Sequence, residues 1–143
     1  MISERLITQI IRHEGAVRRR GRHIPYKCPA GKLTLGYGRN IEENGISDEE
    51  AVLLLKNDLT ASERELSLCF LWFEKLNEVR REALINMVFN MGISRLKGFK
   101  KMLTFLESGD FHKASEEMLN SRWASQVGSR AKELAEQMKQ GVL

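Results

Sequence analysis

The apolar positions at the start of the chain recur at the spacing of one helix face, and they are Ile2, Leu6, Ile7, Ile10 and Ile11. Ser3 suits the N-cap and Gly15 suits the stop, so this pattern predicts a helix that ends at Glu14. A carboxylate in the last turn meets the negative end of the helix dipole. The dipole and any burial would both favour protonated Glu14, the form that a general acid needs near neutral pH. The alternative is an ordinary exposed glutamate beside a helix cap.

The pattern changes from helical to strand-like after the first segment. Residues 25–35 are typical of a short strand, a turn at Pro29–Gly31 and a second strand. Gly36 and Gly38 then alternate with larger residues, and glycine in a strand often marks a close approach of backbone or ligand. The sequence therefore predicts a hairpin that forms a cleft wall. A tight bend without a ligand is the alternative.

The rest of the chain is predicted to be helical. Ser47 and Glu50 form a capping box that opens a long helix reaching Cys69, a helix that would bridge two lobes. A second apolar pattern runs from Leu76 to Met91 and stops at Gly92, which predicts the central core helix. Shorter helices are predicted at 100–107, 111–119 and 129–140. The fold class is therefore α+β and predominantly helical.

Length and composition narrow the choice of function. The 143 residues suit a single domain, and no run is long and apolar enough for a membrane span or a secretory signal. Cys28 and Cys69 are far apart and form no metal-ligand pattern, so we expect free thiols and no metal. The net charge of +4 favours an anionic partner. The densest basic run, Arg18–His23, is interpreted as a solvated loop, and no nucleic-acid partner is expected because supporting aromatic residues are missing.

Several separated blocks of the chain, taken in order, resemble the phage-type lysozymes. These blocks are Glu14-Gly15, Tyr26-Lys27-Cys28, the segment Gly31–Gly38, the segment Glu82–Gly92 and the segment Ser121–Gln126. The resemblance runs from about Leu6 to about Lys139. It implies one lysozyme-like domain over 1–143, with a β-containing lobe at 14–58 and a helical lobe formed by 1–13 and 59–143.

The resemblance also implies an activity and a catalytic set. The family's muramidases hydrolyse the β-1,4 bond between N-acetylmuramic acid and N-acetylglucosamine in bacterial peptidoglycan. The family's pattern carries over to Glu14 as general acid, to Cys28 in place of the commoner aspartate, and to Thr34, which would position water or support Glu14. The run Arg18–His23 lengthens the usual interval between Glu14 and Cys28, and we interpret it as a tolerated insertion.

Cys28 changes the chemistry expected at the second catalytic position. A thiol is neutral until it ionises near pH ~8.5. Lys27 and the arginine-rich run would favour the thiolate, which would then act as a base, a nucleophile or an electrostatic partner. The alternatives are a small apolar filler at Cys28 and a plain β-branched strand residue at Thr34.

The same resemblance places further residues at the substrate, namely Phe89, Asn90, Arg122 and Arg130. Trp123 is predicted to be core, and a core role is the alternative for Phe89. Met102 and Glu117 replace polar positions that contact substrate in the family. Arg39 and Asp58 are placed to form an ion pair between the hairpin and the long helix.

The resemblance completes the expected setting of the protein. We expect no cofactor, a monomer, and an endolysin made in the host cytoplasm that reaches peptidoglycan after a holin-like partner permeabilises the membrane and so causes host lysis. Three alternatives stay open: a catalytically inactive peptidoglycan-binding module, a basic helical nucleic-acid-binding protein, and a lytic transglycosylase that leaves anhydro-sugar ends.

Overall fold

The computed structural model describes residues 1–143, which form two compact units, Met1–Val52 and Leu53–Leu143. The elements of the first unit are α1 (Glu4–Glu14), β1 (Arg18–Arg19), β2 (Arg22–His23), β3 (Tyr26–Lys27), β4 (Leu33–Leu35), β5 (Arg39–Asn40) and α2 (Ile41–Asn44). Helix α3 (Asp48–Cys69) begins in the first unit and continues into the second.

Helix α1 begins and ends at the predicted residues. The Ser3 hydroxyl oxygen accepts a hydrogen bond from the Leu6 N–H at 3.2 Å, and the chain leaves the helix at Gly15, whose φ is 64°. The apolar stripe is present but no residue of the helix is buried. The exposed fractions of the apolar side chains of α1 range from 36% at Ile11 to 42% at Ile10, so these side chains are partly covered but do not form a buried core.

A three-stranded antiparallel sheet carries the predicted hairpin. The strand order is β3-β4-β5, with Tyr26 opposite Thr34 and Thr34 opposite Asn40. Thr34 therefore lies in the central strand, and it is the only buried residue of the first unit. The turn predicted at Pro29–Gly31 is confirmed, since it falls between β3 and β4.

The basic run Arg18–His23 is not a loop, and that interpretation was wrong. Strands β1 and β2 pair antiparallel, with Arg18 opposite His23 and Arg19 opposite Arg22. Arg20 and Gly21 form the two-residue connection with φ of 54° and 75°. Positive φ at both central residues matches the right-handed twist of a hairpin, which is the physical reason that such a short connection closes.

The capping box at the start of α3 is confirmed. The Glu50 N–H donates to the Ser47 hydroxyl at 3.1 Å, and the Ser47 N–H donates to the Glu50 carboxylate at 2.8 Å. This exchange satisfies two backbone donors that a helix end otherwise leaves unpaired.

The second unit is helical. A 3-10 turn (Phe73–Lys75) follows α3, and the remaining helices are α4 (Glu78–Met91), α5 (Ile93–Lys97), α6 (Lys100–Ser108), α7 (Phe111–Leu119), α8 (Arg122–Val127) and α9 (Ser129–Gln140). Helix α9 packs against α4, α7 and α8. All buried hydrophobic side chains of the chain lie in this unit, among them Leu66, Leu84, Met87, Leu106, Met118 and Met138.

The predicted α+β, predominantly helical fold class is confirmed. The helices predicted at 100–107, 111–119 and 129–140 are found within one residue of those bounds, whereas α2, α5, α8 and β5 were not predicted. Both cysteines are free, as expected. In the structure, residues 1–13 belong to the same compact unit as the sheet. The predicted division, with a β-containing lobe at 14–58 and a helical lobe formed by 1–13 and 59–143, stays a prediction. No helix of the chain has the length and apolar character that crossing a membrane requires.

Candidate active site

Glu14 is the last residue of α1, and its carboxyl group lies against the glycine-rich segment. A Cβ atom at Gly38 would lie 3.1 Å from Glu14 Oε2 and 3.2 Å from Glu14 Cδ. Gly38 also has a φ of 93°, so it is required both by its backbone conformation and by the approach of Glu14. The close approach predicted for this glycine is therefore made by a side chain of the protein itself. Glu14 is exposed, and the burial considered from the sequence is not found.

Cys28 begins the turn between β3 and β4. Its carbonyl oxygen accepts from the Gly31 N–H at 2.8 Å, and its N–H donates to the Lys32 carbonyl oxygen at 2.9 Å. Gly31 supplies the φ of 78° that closes the turn. The half-buried Cys28 side chain is thus held at a rigid position by backbone hydrogen bonds.

The backbone of the same turn lowers the pKa of the Cys28 thiol. The main cause is the hydrogen bond from the Lys32 backbone, with smaller contributions from the Ala30 backbone and the Thr34 hydroxyl, while partial desolvation raises the pKa. The expected influence of Lys27 and the arginine-rich run was wrong, because the groups that stabilise the thiolate are hydrogen-bond donors of the turn rather than side-chain cations.

Thr34 lies beside Cys28 because β3 and β4 pair. Its side chain is buried, and its hydroxyl donates to the Lys32 carbonyl oxygen at 2.9 Å. The hydroxyl thus braces the turn that positions the thiol. The structure brings Cys28 and Thr34 together on β3–β4, and it places Glu14 against Gly38 at the other end of the same glycine-rich segment.

The predicted ion pair between Arg39 and Asp58 is wrong. Arg39 instead makes a bidentate pair with Glu50, with Nη1–Oε1 at 2.9 Å and Nη2–Oε2 at 2.7 Å. The Arg39 guanidinium and the Ser47 N–H together lower the pKa of Glu50 to about 2. Asp58 forms no ion pair. Glu50 lies in the first turn of α3, next to the segment that follows Arg39, whereas Asp58 lies about two turns further along the helix.

A second ion-pair group, not predicted from the sequence, stabilises the other side of the sheet. Lys32 Nζ lies 2.8 Å from Glu43 Oε1 and 3.6 Å from Glu42 Oε2, both on the short helix α2. Lys32 also supplies two of the backbone groups that contact Cys28. The sequence signal that could have indicated this ion pair is the acidic pair Glu42-Glu43, which begins three residues after Arg39.

Three of the four substrate-binding residues predicted in the second unit line two separate cavities, and Asn90 lines neither of them. Phe89 and Arg130 line a cavity of about 540 Å³ between α3 and α4, where Phe89 is 44% exposed. Arg122 lines a cavity of about 820 Å³ whose wall includes Trp123 and Glu117. Trp123 is buried as predicted, and Met102 is core.

Two of these four residues already have partners within the second unit. The Asn90 side-chain oxygen accepts from the Trp123 indole N–H at 2.8 Å. The Arg130 guanidinium donates twice to the Asn86 side-chain oxygen, at 2.9 and 2.7 Å. Asn86 therefore has the partner that a half-buried amide on an apolar helix requires. Phe89 and Arg122 are exposed.

Comparison with known proteins places this architecture in a family. The family model described as phage lysozyme matches residues 13–140. The chain belongs to the phage lysozyme family. The match begins one residue before Glu14, and so includes the whole candidate site.

Individual relatives within and beyond phages agree with this assignment. The chain is 30% identical over 132 residues to an endolysin of Acyrthosiphon pisum secondary endosymbiont phage 1, covering 90% of this chain and 85% of that protein. It is 29% identical over 101 residues to probable T4-type lysozyme 1 of Dictyostelium discoideum, covering 68% of this chain and 59% of the relative. It is 34% identical over 105 residues to the pre-baseplate central spike protein Gp5 of Enterobacteria phage T4, covering 69% of this chain.

The relatives differ greatly in length. This chain spans 59% of the Dictyostelium lysozyme and 18% of the T4 spike protein. The matched segment thus makes up most of the phage endolysin and a small part of the T4 spike protein.

Proposed function

We propose that this member of the phage lysozyme family is a muramidase that hydrolyses the β-1,4 bond between N-acetylmuramic acid and N-acetylglucosamine in peptidoglycan. The observation that carries the proposal is the Glu14 carboxyl group at the exposed end of α1, held against Gly38 in the same unit as the Cys28–Thr34 pair. Glycoside hydrolysis needs a proton donor and a second group that activates water or stabilises the sugar cation, and these residues supply both.

In this mechanism Glu14 protonates the leaving glycosidic oxygen. Its position at the end of α1 leaves the carboxyl group exposed to substrate. Because Gly38 has no side chain, the Glu14 carboxyl group can lie close to the glycine-rich segment, which favours one orientation for proton transfer.

In the same mechanism Cys28 acts as the anionic partner. Its lowered pKa makes the thiolate available at a lower pH than for an ordinary thiol. The thiolate then either accepts a proton from the attacking water or stabilises positive charge on the sugar ring, and the anomer of the product distinguishes inversion from retention. Thr34 holds the turn that carries the thiol.

A turbidity assay on chloroform-treated cells tests the role of Glu14. Removal of a general acid costs about 10²- to 10⁴-fold in rate, so Glu14→Gln should lose at least that much. Glu4→Gln is the matched control, because it removes the same charge from the first turn of the same helix. Full activity of Glu14→Gln would reject the assignment. Mass analysis of the products separates hydrolysis, which gives reducing ends, from transglycosylation, which gives anhydro-sugar ends.

The pH profile tests the role of Cys28. On the acidic side of its pH profile, the wild type should gain activity with rising pH as the thiolate forms. In Cys28→Asp this rise should move to more acidic pH, because a carboxyl group ionises near pH ~3.9. Cys28→Ser should lose the rise together with most of the activity, whereas Cys69→Ser, at the exposed free cysteine, should match the wild type. An unchanged profile in Cys28→Ser would leave Cys28 as a filler.

We further propose that Phe89, Asn90, Arg122 and Arg130 contribute to glycan binding, and that lysis of a host from within requires a holin-like partner. Phe89 and Arg122 are the exposed members without a side-chain partner, so Phe89→Ala and Arg122→Gln should raise KM more than they lower kcat. Lysis of cells that produce the enzyme internally without any permeabilising partner would remove the requirement for that partner.

A further inference from the structure

The hairpin β1–β2 divides its cationic side chains between two faces. Arg18 and His23 are paired across the strands and both contact Tyr37. Arg18 Nη2 donates to the Tyr37 hydroxyl at 2.6 Å, and the His23 ring meets the Tyr37 ring edge-on at 4.9 Å. Because side chains alternate across a strand, Arg19 and Arg22 lie on the opposite face.

The three remaining arginines of the hairpin have no partner in the protein. Arg19, Arg20 and Arg22 are exposed, and none of them makes an ion pair or a side-chain hydrogen bond. Glu14, the carboxylate nearest to them in sequence, forms no ion pair with these arginines, and Glu42, Glu43 and Glu50 pair with Lys32 or Arg39 instead. The hairpin therefore presents three unneutralised guanidinium groups at one point.

These arginines are unfavourable for the hairpin itself. Arg19 lies directly opposite Arg22, and like charges in that position destabilise a strand pair. Arg20 adopts a left-handed conformation, with φ of 54°, that glycine or asparagine adopts more readily. The stability of the hairpin therefore does not explain why arginine stands at positions 19, 20 and 22. An anion bound across Arg19 and Arg22 would neutralise the repulsion between them.

The chemistry of the cluster favours phosphate groups on a surface. Guanidinium groups bind phosphate oxygens in bidentate fashion. The strands are only two residues long, so the cluster is a tip rather than a groove that tracks a polymer. The nearby Tyr37 ring already contacts Arg18 and His23, and no other aromatic side chain lies within the hairpin. Lipids that diffuse laterally can gather their phosphates around such a tip.

We propose that the hairpin β1–β2 binds the headgroup phosphates of an anionic lipid bilayer through Arg19, Arg20 and Arg22. The residues of the tip, Arg19 to Arg22, include no aliphatic or aromatic side chain, so the contact is made at headgroup depth and depends on salt. This proposal does not depend on the glycosidase activity proposed above.

Cosedimentation of the full chain with vesicles tests the proposal. The vesicles contain equal parts phosphatidylglycerol and phosphatidylcholine, or phosphatidylcholine alone. Each arginine near an anionic surface contributes about fivefold in binding, so the triple variant Arg19→Gln, Arg20→Asn, Arg22→Gln should bind about 100-fold more weakly. The control replaces Lys56, Lys97 and Lys132 by Gln, which makes the same change of net charge at exposed lysines elsewhere and should reduce binding only slightly.

Each outcome of this experiment either supports or overturns the proposal. Binding to the mixed vesicles that disappears in the hairpin variant and at high salt supports the proposal. Equal losses in the two triple variants, or no binding of the wild type, would overturn it. The proposal would also be overturned if the protein bound duplex DNA more tightly than vesicles and this DNA binding depended on the same three arginines. The hairpin would then be a nucleic-acid-binding surface. Circular dichroism checks that the variant is folded, and the single variant Arg20→Gly, which keeps the turn conformation, should lose about fivefold.

Discussion

Gly38→Ala tests whether the candidate site depends on the position of the Glu14 carboxyl group. The new Cβ atom would lie 3.1 to 3.4 Å from three atoms of the Glu14 side chain, so the carboxyl group must move by a few tenths of an ångström. The change also forces alanine to a φ of 93°, which costs about 1–2 kcal/mol.

The two effects have separate readouts. The backbone strain should lower the melting temperature by about 4 °C for each kcal/mol lost. A misplacement of 1 Å at a reacting group costs about 100-fold in rate, so a shift of a few tenths of an ångström should lower kcat roughly three- to tenfold, with little change in KM. Thermal unfolding and a turbidity assay with varied substrate concentration measure the two quantities.

Gly36→Ala is the control that separates strain from contact. Gly36 also has a positive φ, 68°, but a Cβ atom there would meet no atom within 4 Å. Its alanine variant should be destabilised while keeping its kcat. If Gly36→Ala and Gly38→Ala lost the same activity, or if neither lost any, the contact with Glu14 would not govern catalysis and the reasoning would be refuted.

Three further changes test other contacts of the structure. In the folded protein the pKa of Glu50 is about 2, below its ordinary value of 4.5, so the pair with Arg39 contributes stability above pH 4.5 and loses it as the pH falls towards 2. Glu50→Gln should remove this part of the acid dependence of stability. Melting curves of both proteins between pH 4.5 and 2 measure the difference. Arg80→Ala should lower the free energy of unfolding by about 2–4 kcal/mol, because Arg80 donates hydrogen bonds to two carbonyl groups at the end of α9, at 2.7 and 3.0 Å. Urea unfolding measures this change, and a decrease under about 0.5 kcal/mol would contradict the prediction. Trp123→Phe should lower the free energy of unfolding by about 1 kcal/mol or more, because the Asn90 side-chain oxygen loses its indole donor. An unchanged urea midpoint would argue against the hydrogen bond between Trp123 and Asn90.

The main helices could be predicted because their signals are local. Ser3 and Gly15 bound α1, the Ser47–Glu50 box opens α3, and Gly92 follows α4, each beside an apolar period of 3.6. The turn after Cys28 was predictable for the same reason, since proline and glycine mark it within four residues.

The hairpin β1–β2 could not be predicted from its own residues. A run of arginines indicates a solvated loop by charge repulsion, and only Gly21 suggests a turn. The stabilising contacts come from Tyr37, which lies 19 residues beyond Arg18 in the sequence. The lowered pKa of Cys28 was missed for a related reason, because the donors responsible are backbone groups of the turn, whose direction no residue type reveals.

The two units differ in what holds them together, and this difference bears on the candidate site. Thr34 is the only buried residue of the first unit, whereas every buried hydrophobic side chain lies in the second. The elements that carry Glu14 and Cys28 are therefore stabilised by helix caps, glycine turns and exposed ion pairs, and exposed ion pairs are weak and are weakened further by salt. Acid and salt act on those contacts directly and on apolar packing hardly at all. Activity should consequently decline with acid or salt under conditions in which the helical core of the second unit remains folded, so that loss of the site precedes loss of the fold.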